Sequence, residues 1–148
     1  MANILHRIGI KTSSMDEVYR ALTTRDGLAG WWTTDTRGEG DQAGNTVIFR
    51  FGTDGFDMKV TNLQSPGLVE WEVVDGPQEW IGTTIRFGLK QEGDYVILLF
   101  KHLDWKEPVE FMHHCSTKWA VFLMSLKSLV ETGKGRPFPD DVKVDNWN

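Results

Sequence analysis

The sequence has 148 residues, a formal net charge of -5, and Cys115 as its only cysteine. Because no cluster of Lys or Arg is present, neither nucleic acid nor an anionic membrane is expected as a partner. No apolar run approaches the roughly 18 residues that a membrane span needs. A lone cysteine and an amino terminus without a signal-peptide pattern predict a cytoplasmic protein. The length suits one domain, residues 1–148.

The first third of the chain predicts one strand followed by two short helices. Residues 4–11 alternate loosely between apolar and polar positions, which is typical of a strand. Ser14 and Glu17 match a capping box and predict the start of a short helix. A second short helix is predicted from the segment Thr23–Asp26. The glycine-rich, polar residues 33–45 predict a mobile loop.

Five further strand-like runs follow, separated by turns rich in Gly, Pro and Asp. Short connections of this kind predict hairpins, and hence an antiparallel meander. With the first strand, they make a predicted sheet of six strands. The runs are Thr46–Phe51, Phe56–Leu63, Leu68–Val74, Trp80–Lys90 and Tyr95–Leu103.

The segment from Glu110 to Thr132 predicts one long helix, because its apolar residues recur at alternating spacings of three and four. Gly133 follows at the position of a C-cap glycine. A helix with so much apolar surface needs a large partner, and the predicted sheet is the only one available. The sequence therefore predicts an α+β fold in which a curved antiparallel sheet wraps around the carboxyl-terminal helix.

Few residues point to catalysis or metal binding. The four histidines have no metal-ligand spacing, and adjacent His113 and His114 point about 100° apart on a helix, so no metal site is predicted. No cofactor motif is present either. His102 is interpreted as a structural histidine, with a polar contact at a cavity rim as the alternative. Cys115 is interpreted as a small buried residue rather than a nucleophile, because a nucleophile needs exposure and a base.

Carboxylates and aromatic rings are the remaining candidates. Glu70, Glu72 and Glu79 lie nearest the aromatic strands, and a buried carboxylate there could act as an acid or base. Glu70 and Glu72 fit a solvated strand face better. The seven Trp and eight Phe are the strongest functional indication, because rings fill cores but also line pockets for apolar ligands.

Several segments together resemble a known family. They are Gly30-Trp31-Trp32-Thr33, the run Glu79 to Phe87, the run Leu99 to His102, and the segment Trp119 to Gly133. With the order of elements, they make the chain similar to the Hsp90 ATPase activator homologue group of the START-like (SRPBCC) superfamily. The resemblance implies a helix-grip fold, with a cavity between the sheet and the carboxyl-terminal helix.

The resemblance and the aromatic content together predict non-catalytic binding of a small hydrophobic or aromatic molecule in that cavity. The residues expected to line it are Trp31, Trp32, Phe49, Met58, Trp71, Phe87, Trp119 and Leu123. Two alternatives remain open. One is a cyclase- or aromatase-like enzyme, which would need polar groups aimed into the cavity. The other is a protein-interaction module related to the Hsp90 co-chaperones, with a protein as partner.

Overall fold

The structure is a computed structural model that describes residues 1–148. A strand and two short helices come first in the chain, a run of strands follows, and a long helix is the last element. In chain order they are β1 (Ala2–Lys11), α1 (Met15–Thr23), α2 (Arg25–Trp31), β2 (Asp35–Arg37), β3 (Thr46–Phe51), β4 (Asp54–Gln64), β5 (Leu68–Asp75), β6 (Thr84–Glu92), β7 (Tyr95–Trp105) and α3 (Glu110–Thr132).

The strands form one antiparallel sheet in the order β1-β7-β6-β5-β4-β3-β2. The expected count of six strands is therefore wrong by one, because β2 lies within the predicted loop 33–45. Its three residues pair with β3, and the Thr33 hydroxyl donates to the carbonyl of Arg50 at 2.7 Å. Thr36 is buried beside this pairing. Contacts with a neighbouring strand, rather than a local apolar pattern, make this segment a strand.

The start of β6 also differs from the prediction. Trp80 to Thr83 were assigned to the strand, but they form a turn, and β6 begins at Thr84. Gly82 has φ of 85°, a backbone conformation that glycine adopts without a steric penalty. The hydroxyl and amide of Thr83 both donate to the carbonyl of Trp80, at 2.6 and 2.9 Å. This turn buries the Trp80 ring and leaves Ile81 exposed.

The long helix α3 has the predicted bounds and ends at Gly133, whose φ is 83°. Both sides of the sheet reach it. His6 of β1 contacts the carbonyl of Ser116 through its Nε2 atom at 3.1 Å, while Phe51 of β3 packs edge-on against Phe122 at 6.1 Å. Because strands from both sides of the sheet contact one helix, the sheet curves around α3.

The two short helices begin as their capping residues dictate. The Ser14 side chain accepts from the amide of Glu17, and the Thr24 side chain accepts from the amide of Gly27. Only half of the expected capping box forms, since the Glu17 carboxylate accepts from the Thr12 hydroxyl instead. None of the three helices combines the length and apolar character that crossing a bilayer requires.

Residues 133–148 run back along α3 toward its amino-terminal end, and we call them the C-terminal strap. Phe138 of this strap forms a parallel bridge with Thr33 beside α2. Farther on, Asp145 contacts His114 in the first turns of α3. The strap therefore lies along α3 from the neighbourhood of α2 to the first turns of the helix.

Candidate functional site

A cleft of about 780 Å³ lies between α3, the β3–β4 hairpin and the C-terminal strap. The turn residues Thr53, Asp54 and Gly55 also line it. The cleft lies on the side of the sheet that faces the helix, as expected for a cavity between sheet and helix. It lies, however, at the ends of the strands, beside the β3–β4 turn and residues 75–77 after β5, rather than at the centre of the sheet.

Stacked indole rings form the floor of the cleft. The rings of Trp80 and Trp119 lie 5.8 Å apart and are inclined by only 14°. Phe56 stacks on Trp80 at 4.1 Å, and Trp32 stacks on Phe56 at 5.7 Å. The three tryptophans are at most 3% exposed. This packing fixes the ring planes, so the floor is rigid and apolar.

The walls add more rings and a polar rim. The aromatic wall residues are Phe51, Phe56, Phe111, Phe122, Phe138 and Trp147. The charged and titratable groups at the rim are Arg50, Asp54, Asp75, His114 and Lys118. Most of these polar groups already have protein partners. Arg50, for example, donates to Asp57 at 2.8 Å.

Lys118 is a buried cation on the cleft wall. Its ammonium group lies 4.8 Å from the centroid of the Phe122 ring and binds the carboxylate of Asp141 in the strap. Lys143 donates to the second carboxylate oxygen of Asp141 at 2.8 Å. Burial acts to raise the pKa of Asp141, but the hydrogen bonds from Lys118 and Lys143 outweigh it and lower that pKa overall. The strap is thus attached to α3 by an ionic group that is shielded from water.

A chain of hydrogen bonds lies behind the floor. The indole N–H of Trp119 donates to Nδ1 of His102 at 3.1 Å. The other ring nitrogen therefore carries the proton and donates to the Thr83 hydroxyl at 2.8 Å. Thr83 in turn donates to the carbonyl of Trp80. Burial lowers the pKa of His102 to about 3, so the imidazole is neutral. His102 is fully engaged in the core, as the structural interpretation predicted.

Cys115 lies at the floor of the cleft and is 4% exposed. Burial raises the pKa of its thiol to about 12, and the neighbouring Trp80 N–H acts in the opposite direction. The thiolate is the nucleophilic form of cysteine, so this thiol is poorly suited to nucleophilic attack at neutral pH.

The three candidate carboxylates lie outside the floor of the cleft. Glu70 binds Arg86 across the β5–β6 pair at 2.7 Å, and Glu72 is exposed on the outer face. Glu79 is exposed beside the far end of the strap, where Phe111, His114 and Trp147 also lie. No group of three or more His, Cys, Asp and Glu side chains is arranged to hold a metal ion.

The structure brings two of the eight predicted cavity residues, Trp32 and Trp119, to the cleft. The other six do not line it. They are fully buried in the hydrophobic core: Trp31, Phe49, Met58, Trp71, Phe87 and Leu123. Trp71, for instance, packs edge-on against Phe87 at 5.0 Å and stacks on Trp32 at 6.1 Å. Ring packing therefore occupies the space in which a central cavity was expected.

Sequence reasoning missed most of the cleft walls. Phe51 and Phe56 flank the tight turn of the β3–β4 hairpin, and a pair of rings on either side of such a turn is a usable signal. Phe138 and Trp147 offered a second signal, because they are large apolar residues in a polar segment after the last helix. No periodic pattern links these two residues to α3, since their position depends on the path of the strap.

Comparisons with known proteins agree with this fold. The family model described as Activator of Hsp90 ATPase homolog 1-like protein matches residues 12–131. A solution structure of the Aha1 dimer from Colwellia psychrerythraea is 48% identical, with a TM-score of 0.84, covering 91% of this chain and all of that chain. No curated protein matches the sequence.

Two more distant structures show the same fold. A crystal structure from Staphylococcus saprophyticus has a TM-score of 0.76 at 15% identity, covering 92% of this chain and 97% of that one. An AHSA1-like protein from Aeromonas hydrophila has a TM-score of 0.69 at 14% identity, covering 89% and 94%. With a family model matched over most of its length, the chain belongs to the Activator of Hsp90 ATPase homolog 1-like family.

Proposed function

We propose that the cleft binds a small hydrophobic or aromatic molecule without chemical conversion. The observation that carries this proposal is the stacked aromatic floor of Trp32, Trp80 and Trp119 beneath aromatic walls. Ligand sites in proteins typically occupy roughly 300–1,000 Å³ and are lined mainly by apolar groups. The cleft, at about 780 Å³, falls within that range.

Burial of apolar surface would supply the affinity. A ligand that buries about 200 Å² of apolar area gains roughly 5 kcal/mol before the cost of association. The ring planes of the floor are already held by packing, so little side-chain entropy is lost on binding. Because the floor tryptophans are at most 3% exposed, most of this contact area would come from the half-buried wall rings of Phe51, Phe56, Phe111 and Phe138.

The polar groups near the cleft support binding rather than catalysis. His102 uses both ring nitrogens in the core, and His114 is paired with Asp145 at 2.7 Å. The raised pKa of Cys115 keeps its thiol protonated at neutral pH. The cyclase- or aromatase-like alternative would need one of these groups to be released from its present partner.

A naphthalene-sized probe, 1-naphthol, tests the proposal by calorimetry and by quenching of tryptophan fluorescence. We expect saturable binding at one site. Phe111→Ala removes a half-buried ring from the cleft wall and should weaken binding about tenfold, through the loss of roughly 50–60 Å² of apolar contact. Tyr95→Ala removes an aromatic ring that is 41% exposed and does not line the cleft, and it should leave the affinity unchanged. Absence of saturable binding, or equal effects of the two variants, would refute the proposal.

A second candidate function is association with another protein, here a second copy of the chain. The 48% identical Colwellia structure is described as a dimer. On the outer face of β1 and β7, Leu5 and Leu99 are 63% and 38% exposed. They are diagonal neighbours, because Leu5 pairs with Lys101 and Arg7 pairs with Leu99. This outer face at the sheet edge supports self-association through an apolar patch.

Sedimentation equilibrium tests this second candidate. We expect the wild type to dimerise and Leu5→Glu to weaken the dimer, because it places a charge in an apolar contact. Met124→Glu is the matched control, since Met124 is 52% exposed on α3. A monomeric wild type, or a dimer that Leu5→Glu leaves intact, would rule out this interface.

A further inference from the structure

The C-terminal strap is attached to the domain in two different ways along its length. Its near half, residues 133–138, is tied by backbone hydrogen bonds: the amide of Phe138 donates to Trp32 at 2.8 Å, and Thr34 donates back to Phe138 at 3.2 Å. The Arg136 amide also donates to the Ser125 hydroxyl at 2.7 Å. Gly135 lies so close to Gly30 that no side chain fits between them. The near half is therefore part of the rigid body.

The far half, residues 139–148, is attached only through side chains. Its backbone–backbone hydrogen bonds stay within the strap, from Asp140 to Pro137 and from Asn148 to Asp145. Its polar contacts to α3 are made by Asp141 and the Val142 carbonyl on Lys118, and by Asp145 on His114. The Trp147 ring also packs on Phe111 and His114 of α3, at 6.3 and 5.4 Å. Segments with few backbone bonds and exposed side chains open at lower free energy than the core.

The last turn of the strap is the weaker part of this attachment. The Asp145 carboxylate contacts Nδ1 of His114 at 2.7 Å and accepts from the Trp147 amide at 2.9 Å. The side chain of Asp145 is 37% exposed, whereas that of Asp141 is fully buried. Trp147 lies 5.4 Å from the His114 ring but remains 51% exposed. Loss of the Asp145 contact would therefore leave the end of the strap held mainly by the packing of Trp147 on Phe111 and His114, with the Asp141 attachment in place.

This end of the strap closes one side of the cleft. Trp147 and Asn148 line the same cavity as Cys115, whose thiol lies at the floor. The whole strap also lies outside residues 12–131, the part that the family model matches. We propose that the end of the strap, residues 144–148, is a movable wall that controls access to the cleft floor, with the Asp145–His114 contact as its latch. Its role as a gate for ligands rests on the proposed binding function.

Alkylation of Cys115 by iodoacetamide measures this opening without any ligand. The thiol is the only one in the chain and is shielded in the closed form. When reclosing is faster than alkylation, the rate follows the population of the open form. Asp145→Ala removes the latch, and we expect a rise of about fivefold, as for the loss of one partly exposed charged hydrogen bond. Asp140→Ala is the control, because its exposed carboxylate lies on the same strap and forms no hydrogen bond or salt bridge.

The alkylation rates should be repeated in low concentrations of urea. Local opening changes little with urea, whereas global unfolding exposes much more surface and rises steeply. A fivefold rise in Asp145→Ala that is nearly independent of urea supports the movable wall. Equal rates in the two variants, or a rise that follows global stability, would overturn it.

The dissociation rate of bound 1-naphthol separates this proposal from the binding function. If the cleft binds the probe, Asp145→Ala should release it about fivefold faster, while Asp140→Ala should not. Faster alkylation with no probe binding in any variant would refute the binding function and leave the movable wall standing. Binding with unchanged alkylation and release would refute the wall alone.

Discussion

Acid sensitivity of the fold should depend on His102. This imidazole is fully buried, and its Nδ1 accepts a hydrogen bond from the N–H of Trp119. Protonation at Nδ1 would destroy that bond and place a charge in the core. In the unfolded chain the same side chain takes up a proton near the ordinary histidine pKa of about 6.5. The unfolded state therefore binds more protons than the folded state as the pH falls below that value.

The size of the effect follows from the two pKa values. Burial lowers the pKa of His102 to about 3 in the folded protein. Between about pH 6.5 and pH 3, each unit of acidification costs roughly 1.4 kcal/mol of unfolding free energy, and above pH 6.5 the cost vanishes. From pH 7 to pH 4.5 the loss attributable to this one residue is roughly 2–3 kcal/mol.

Urea unfolding of the wild type and His102→Asn at pH 7 and at pH 4.5 measures this loss. The variant should be less stable at pH 7, because asparagine cannot keep the contacts of both ring nitrogens. It should lose roughly 2–3 kcal/mol less than the wild type on acidification. Acidic groups with lowered pKa values, such as Asp141, also weaken the fold in acid, but they are common to both proteins and cancel. His113→Asn, at an exposed position, should match the wild type, and an equal acid loss in wild type and His102→Asn would refute the reasoning.

Two further predictions concern stability. A Cβ at Gly135 would lie 2.2 Å from the carbonyl oxygen of Gly30, so Gly135→Ala should lower the unfolding free energy by about 1–3 kcal/mol in urea titration. Gly88→Ala, whose Cβ would meet its nearest atom at 3.7 Å, should cost clearly less, and equal costs would contradict the close approach. Ser14→Ala removes the cap of α1 and should lower the thermal midpoint by the equivalent of about 1 kcal/mol. Ser13→Ala should not, and a midpoint that Ser14→Ala leaves unchanged would show that the cap contributes nothing.

The high aromatic content pointed to an aromatic cleft but did not identify most of the residues that line it. The many rings were expected to line a central cavity, but six of the eight chosen residues fill the core instead. Apolar alternation identifies which side chains face inward, and it does so correctly for Phe49 and Trp71. Apolar alternation does not distinguish an inward ring that packs against another ring from an inward ring that borders a cavity. That difference depends on packing between distant strands.

Polar residues near the cleft show the same limit. His102 lies on the same buried face of β7 as Leu98 and Phe100, but this strand is apolar on both faces in the sequence, so alternation alone did not identify that face. Its partners could not be predicted either, because Trp119 and Thr83 come from α3 and from a turn that was predicted to be a strand. Likewise, the pairing of Lys118 with Asp141 depends on the return of the strap along the helix, which no local pattern encodes.

The sequence by itself determined the order of elements, the bounds of α3 and the antiparallel meander. These features follow from periodicity, capping residues and turn residues, all of which act over a few neighbouring positions. Only the tertiary structure decided that residues 35–37 join the sheet and that Trp80 lies in a turn. It also decided that the strap forms a wall of the cleft. Each of these features depends on contacts between residues far apart in the chain, and such contacts form only when the sheet has curved around the helix.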